Sequence, residues 1–402
     1  MTEVYVFDAV RTPRGKGRPG GSLENIAPAD LVITLINALK GRNGDKAIES
    51  VDLLALGTVT QTGEQGGHLA LATRIQAGLP ESVTPSTLNN FCISGLSAII
   101  EGARRVITGE AKMALAGGVE SMSRIPFLSD KAPYYSDLAL AQKMGWMPVG
   151  VAADLLAATK GITRQQLDHA TLVSHQRAAK AWAEGHYTDR VIPVHDTEGN
   201  LALAHDENVR DFGDGTKLAA FPAVFTEMGK GGFEEIGTSY YPEHAPLQYI
   251  HSIANCPPIS DGAAVALIGT KEAGAALGLT PVARIRSFAD VSGDRVLQLT
   301  AGMDAMDKAL ERAQLELGDI DVIEFMESFA VVPVMFQQER QPDPAKVNIH
   351  GGHLSMGHPM GASGAILLTT LLSSMKAKDA AYGMVVTTGG VGVGAAMVLE
   401  RV

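Results

Sequence analysis

The chain has 402 residues, room for two or three domains and a large apolar core. Its formal net charge of −11 argues against nucleic acid as a partner. The 2 cysteines give no disulfide framework and suit a reducing cytoplasm, and no apolar run reaches membrane-spanning length.

The first residues, Met1 to Asp8, read as an immediate strand and not as a signal or transit peptide. In chain order, strands are expected at Val4–Phe7, Leu53–Thr58, Met113–Ala116, Ala263–Ile268, Val322–Phe325 and Gly383–Thr387. Longer periodic runs predict helices over Ala29–Leu39, Gly67–Ala77, Leu96–Thr108, Arg164–Glu184, Gly302–Leu315 and Ser363–Met375. Short strands alternating with longer helices define an α/β fold with a mixed or parallel sheet.

The order of these elements repeats. A helix over Leu31–Lys40, an acidic turn and the strand Leu53–Leu56 are matched by Gly302–Leu317, Asp319 and the strand Val322–Phe325. Each set leads to a chemically rich turn, a long helix, a strand and a glycine pair. The turns hold Cys92 and His358, and the pairs are Gly117-Gly118 and Gly389-Gly390. Two duplicated halves facing each other account for this pattern, although generic strand–helix–strand units share part of it. Residues 120–250 have a different composition, with Met, Tyr, Trp and Pro around Met144–Pro148, and suit an excursion that covers a site.

Cys92 lies in Leu88-Asn89-Asn90-Phe91-Cys92-Ile93-Ser94-Gly95, where a strand-like run meets a helix start. A thiol there feels the positive end of the helix dipole, which is expected to favour the thiolate and make the sulfur nucleophilic. Alternatively, a lone cysteine is a small buried hydrophobe. The second half offers a partner in Asn348-Ile349-His350-Gly351-Gly352-His353-Leu354-Ser355-Met356-Gly357-His358-Pro359-Met360-Gly361-Ala362-Ser363-Gly364. Glycines flank His358, Pro359 sets the chain direction, and Ser363 reads as a helix cap. His350, His353 and His358 lack the spacing of a metal site, so they read as structural or catalytic.

Asn89-x-x-Cys92-x-Ser94-Gly95, Gly117-Gly118-Val119-Glu120-Ser121-Met122-Ser123, Asp261-Gly262-Ala263-Ala264 and Gly357-His358-Pro359-x-Gly361-Ala362-Ser363-Gly364 resemble the motifs of the thiolase family. Val10-Arg11-Thr12-Pro13 at the start and Gly394 to Glu400 at the end extend the resemblance over essentially the whole chain. It implies a five-layered α-β-α-β-α fold of two halves with mixed five-stranded sheets and a loop domain inserted in the first half. The boundaries that follow are 1–119 plus 251–270, 120–250 for the loop domain, and 271–402.

The resemblance also implies acyl transfer between coenzyme A thioesters, with acyl-CoA and CoA as partners, CoA as a substrate and no permanently bound cofactor or metal. A homodimer or homotetramer is implied as well. Cys92 would carry the acyl group, His358 would be its base, and the Cys92 and Gly390 N–H groups would form the oxyanion hole. Glu327 is a candidate for orienting His358 or another site group, or for a structural salt bridge. Met147, Pro148, Pro257 and Ser260 fall along the expected CoA cleft, and Cys256 aligns with a small structural residue.

Two departures bear on the chemistry. Thr388 stands where the family places a second, proton-shuttling cysteine, and a hydroxyl is far too weakly acidic for that task. Met326, in Met326-Glu327-Ser328-Phe329, stands where the family has an Asn or His that holds water or the thioester oxygen. These departures favour acylation of Cys92 over rapid thiolysis or Claisen turnover. They leave thioester hydrolysis, and a non-catalytic acyl-CoA-binding subunit, as alternatives.

Overall fold

The computed structural model describes residues 2–402; Met1 lies outside them. The first half runs β1 (Val4–Arg11), α1 (Pro28–Asn43), β2 (Leu53–Gly57), α2 (Leu69–Gln76), β3 (Thr84–Leu88), α3 (Ser94–Thr108) and β4 (Met113–Glu120). The chain continues through α4 (Val149–Thr159) and α5 (Arg164–Ala183) to β5 (Ser260–Gly269). The second half holds β6 (Ala283–Ser292), α6 (Ala301–Ala313), β7 (Val322–Phe325), α7 (Val331–Arg340), α8 (Ser363–Lys378), β8 (Tyr382–Gly389) and β9 (Val393–Arg401).

Local chemistry sets several of these boundaries. The Thr163 side chain and Gln166 form a reciprocal capping box that starts α5. Gln314, in the left-handed region at φ 58°, ends α6 short of the expected Leu315. All the expected strands and helices are present. β3, β6, β9, α4 and α7 were not among the expected elements. β3 contains Pro85 and has no fully buried face, so its alternation is weak, and it lies at a sheet edge, where proline is tolerated.

The strands lie in the order β7-β8-β9-β6-β1-β5-β4-β2-β3. In the first half β2 is parallel to β3 and β4, while β5 is antiparallel to β4 and β1. The second half repeats this: β7 is parallel to β8, and β9 is antiparallel to β8 and β6. The place answering to β3 is held there by a single parallel bridge, Ile323 to Val347. The two halves join in one continuous sheet where Val4–Val6 of β1 pair with Ala283–Ile285 of β6.

Strand alternation divides the core into layers. Leu54 and Leu56 of β2 pack outward with α1 and α2, while Leu53 and Ala55 pack inward. Met384 and Val386 of β8 pack outward with α6 and α7, while Val385 packs inward. The shared inner core also holds Leu96, Ile99 and Ile100 of α3 and Ile366, Leu368 and Leu371 of α8. Five layers result: outer helices, sheet, the central pair α3 and α8, sheet, outer helices.

The central helices touch at their N-terminal ends, and small residues allow it. A Cβ on Gly364 would come within 2.6 Å of Leu96, and one on Gly95 within 2.7 Å of the Gly361 carbonyl oxygen. This close crossing brings the turn before α3 and the turn before α8 together. Those turns carry Cys92 and His358.

Candidate active site

Cys92 stands two residues before α3, in a turn held by side chain to backbone bonds. The Ser94 hydroxyl donates to the Phe91 carbonyl (2.6 Å) and accepts the Asn90 N–H (2.8 Å), and Asn89 accepts the Phe91 N–H (2.9 Å). Phe91 takes the left-handed conformation, φ 49°, which turns the chain into the helix. Cys92 packs in a small apolar cluster with Val59, Met122 and Met360, so the segment just after His358 shares its surroundings. The end of β8 passes directly over it: a Cβ on Gly389 would lie 3.3 Å from the Cys92 amide nitrogen.

The expectation of a thiolate-favouring site is corrected by the structure. Burial pushes the Cys92 thiol up to about 11, and the negative charge of Glu120 acts in the same direction. The Gly390 and Cys92 backbone N–H groups oppose this without offsetting it.

His358 is buried, and its own N–H donates to the Pro258 carbonyl (2.8 Å). Its Nδ1 lies 2.8 Å from the Ser363 hydroxyl, and its Nε2 has no partner among the described residues. Burial, together with the Arg14 guanidinium, lowers its pKa to about 3, so the imidazole is neutral at pH 7. The buried, likewise unpartnered His353 meets its ring edge to face at 5.0 Å. Arg14 donates to the Gly357 carbonyl (3.0 Å), and Arg11 grips Asp206 with two bonds of 2.8 and 2.9 Å. The motif at the chain start thus braces the turn that carries His358.

Ser363 is not the cap of α8, which is Ala362; its hydroxyl holds the His358 ring instead. Among the described residues Glu327 does not reach His358 and forms no ion pair. It accepts from Ser174 (2.7 Å), Asn348 (3.0 Å) and the Leu354 N–H (3.0 Å), and so organises the 348–354 loop. Ser260 is fully buried, bonded to the Pro258 carbonyl (2.9 Å) and to Asn208 (3.1 Å), and packed on Gly357. It therefore braces the turn instead of lining a cleft.

The Met326 N–H is committed to the Val386 carbonyl (2.9 Å), and its side chain lies in the inner core, so neither is free to hold an oxyanion. Thr388 is fully buried, its hydroxyl without a partner among the described residues. Met147 is buried against Gly237, while Pro148 and Pro257 are half-buried. Cys256 is an apolar-packed thiol bonded to the Ser252 carbonyl (3.3 Å).

A residue not singled out from sequence is Glu120, at the end of β4. Four donors converge on its buried carboxylate: the N–H groups of Val59 (2.9 Å), Thr60 (3.1 Å) and Gly361 (2.9 Å) and the Gln65 amide (2.7 Å). It fastens the Gly361 turn of the second half to the strand ends of the first. The only sequence signal was its place in Gly117-Gly118-Val119-Glu120. Asp261 similarly receives the Ser123 N–H (2.9 Å) and hydroxyl (2.5 Å). Among the described residues no group of three or more His, Cys, Asp or Glu is arranged to hold a metal ion.

A duplicated mixed sheet around two central helices, with Cys92 and His358 in the turns before them, has the architecture of thiolase-type α/β proteins. The family model "Thiolase, N-terminal domain" matches residues 4–231, and "Thiolase, C-terminal domain" matches residues 279–401. The chain belongs to the thiolase family. It is 35% identical to a 3-ketoacyl-CoA thiolase of Yersinia pestis, 34% to one of Salmonella typhimurium and 33% to one of Photorhabdus laumondii, covering 100% of both chains in each case.

Proposed function

We propose that this thiolase-family acyltransferase carries its acyl group on the Cys92 sulfur. The thiol attacks the carbonyl carbon of an acyl-CoA thioester while its proton passes to His358 Nε2. A carbon–sulfur bond forms, and the carbonyl pair moves to an oxygen that accepts from the Cys92 and Gly390 N–H groups. Collapse breaks the bond to CoA, and His358 returns the proton to the departing CoA sulfur. A thiol near 11 and an imidazole near 3 do not rest as an ion pair, so proton transfer accompanies bond formation. The observation that carries this reading is the unpartnered His358 Nε2, on a ring held at Nδ1 by Ser363, in the turn that packs beside Cys92.

In the second half-reaction the acyl group passes to a carbon or thiol acceptor. Thr388 and Met326 weaken that step, so thiolysis and Claisen condensation are slow relative to acylation. A second reading, hydrolysis of the acyl-enzyme, is favoured by the same lack of a shuttling thiol. Residues 120–250 cover the acyl-CoA, and the protein acts as a cytoplasmic homodimer or homotetramer. No helix among the described residues is long and apolar enough to cross a membrane.

Incubation with acyl-CoAs of several chain lengths, read by intact mass, tests the reading. It requires an acyl adduct on Cys92 that is absent in Cys92→Ala. The absence of an adduct at every chain length and pH overturns it in favour of a non-catalytic binding subunit. Free CoA released with no acyl-transfer product identifies hydrolysis.

A further inference from the structure

Gln298 is 1% exposed and has a left-handed backbone, φ 59°. Its side-chain amide is used in two directions: Nε2 donates to the Met147 carbonyl (2.8 Å), and Oε1 accepts the Val391 N–H (3.2 Å). Val391 also lies in the left-handed region, φ 54°, which is costly for a β-branched residue and persists only where the surroundings enforce it. The next residue is pinned too, since the Gly392 carbonyl accepts the Gly293 N–H at 2.7 Å.

Between this pinned pair and β8 sits Gly390. With no side chain, it has the widest backbone freedom of any residue, and its N–H acts on the Cys92 sulfur. Holding the Val391 N–H fixes the peptide plane that follows Gly390, and with Gly389 paired to Val393 on the other side it restricts that freedom. The other end of the amide reaches the segment before α4, where Trp146 packs with Val391 in one apolar cluster. A glutamine suits the place because it donates and accepts at a fixed separation; a methionine of similar length does neither.

We propose that Gln298 is a positioning residue, which fixes the Gly390 N–H against Cys92 and ties that donor to the covering segment at Met147. The proposal rests on Cys92 being the nucleophile. Its geometry is testable even without turnover, because the Gly390 donor also tunes how readily the thiol ionises.

The test compares the unsubstituted protein with Gln298→Met, which keeps the volume and removes both bonds. Iodoacetamide labelling of Cys92 is followed against pH by peptide mass, and acylation by an acyl-CoA is followed in parallel. Gln298→Met is expected to slow acylation by roughly tenfold or more at an almost unchanged KM. The labelling midpoint should move up by roughly half a pH unit, because a bond to the thiolate is lost. Should that variant fail to fold, Gln298→Asn, too short to span both partners, gives the same readouts. A folded variant with unchanged acylation rate and labelling midpoint overturns the proposal, as does an effect confined to KM. If the unsubstituted protein never acylates Cys92, the functional reading fails, and the two labelling midpoints still decide whether Gln298 holds the donor.

Discussion

At Cys92 two effects act on one sulfur, and their sizes decide between them. A helix terminus contributes about 0.3–1 kcal/mol to a nearby charge, whereas one pKa unit is worth about 1.36 kcal/mol. Burial moves the thiol from 9.0 to about 11, a shift that a helix end of that size cannot reverse. In the proposed mechanism, ionisation is therefore driven by the reaction, through His358. Thr388 raises the complementary question for the second half-reaction. Its hydroxyl is buried without a partner at the end of β8, and it does not ionise near neutral pH. A thiol in its place has an ordinary pKa of about 8.5 and exchanges a proton readily. Thr388→Cys is expected to raise acetoacetyl-CoA thiolysis by about tenfold or more, while acylation of Cys92 stays within about threefold. Steady-state assay of acetyl-CoA formation checks the first, and intact mass the second; no gain would show that Thr388 does not limit the reaction.

Among the elements, the crossing of α3 and α8 sets the site. Alanine in a helix is favoured over glycine by about 1 kcal/mol, but overpacking a tight contact costs about 1–3 kcal/mol. At Gly364 the added Cβ meets both the Leu96 amide nitrogen and its Cβ at 2.6 Å, and backbone cannot swing aside. Gly364→Ala should therefore lower stability by about 1–2 kcal/mol and slow the proposed acylation, because the turns that carry Cys92 and His358 are pushed apart. Urea denaturation gives the first quantity; a gain in stability would mean the helices separate freely. The elements differed in how openly the chain declared them. β6 buries Ala283, Ile285, Ser287 and Ala289 in strict alternation, so its signal was present in the sequence. β9 is glycine- and alanine-rich and buried through most of its length, and periodicity does not mark such a strand.

For the whole molecule, buried ionisable groups set the response to pH. Glu324 lies fully buried beside Ser374, and burial raises its pKa from 4.5 to about 8. Its folded value is above its unfolded value, so between them the fold holds a proton that the unfolded chain releases. Stability from this group is present at low pH and is lost as pH rises from about 4.5 to about 8. The histidines act in the opposite sense: His175 and His350 fall to about 4 and His358 to about 3, so their neutral forms favour folding and stability drops below pH 6.5. Glu324→Gln isolates the first contribution. The stability of the unsubstituted protein relative to this variant should fall between pH 5 and 8 with a slope of up to about 1.4 kcal/mol per pH unit. Melts across that range read the difference, and parallel curves would show that Glu324 ionises without cost.

The sequence by itself determined the α/β class, the duplicated order of elements, the family and the two turns that carry Cys92 and His358. Hydrophobic periodicity and the spacing of glycines are local properties, and motifs in fixed order survive without coordinates. Only the tertiary structure decided what each group touches. It gave His358 to Ser363 instead of Glu327, turned Ser260 inward beneath Gly357, and gathered four donors from distant segments on Glu120. It also made Cys92 a partly buried thiol, whose desolvation works against the thiolate. Desolvation and hydrogen-bond partnership depend on which segments surround a group, and the segments around this site come from both halves of the chain.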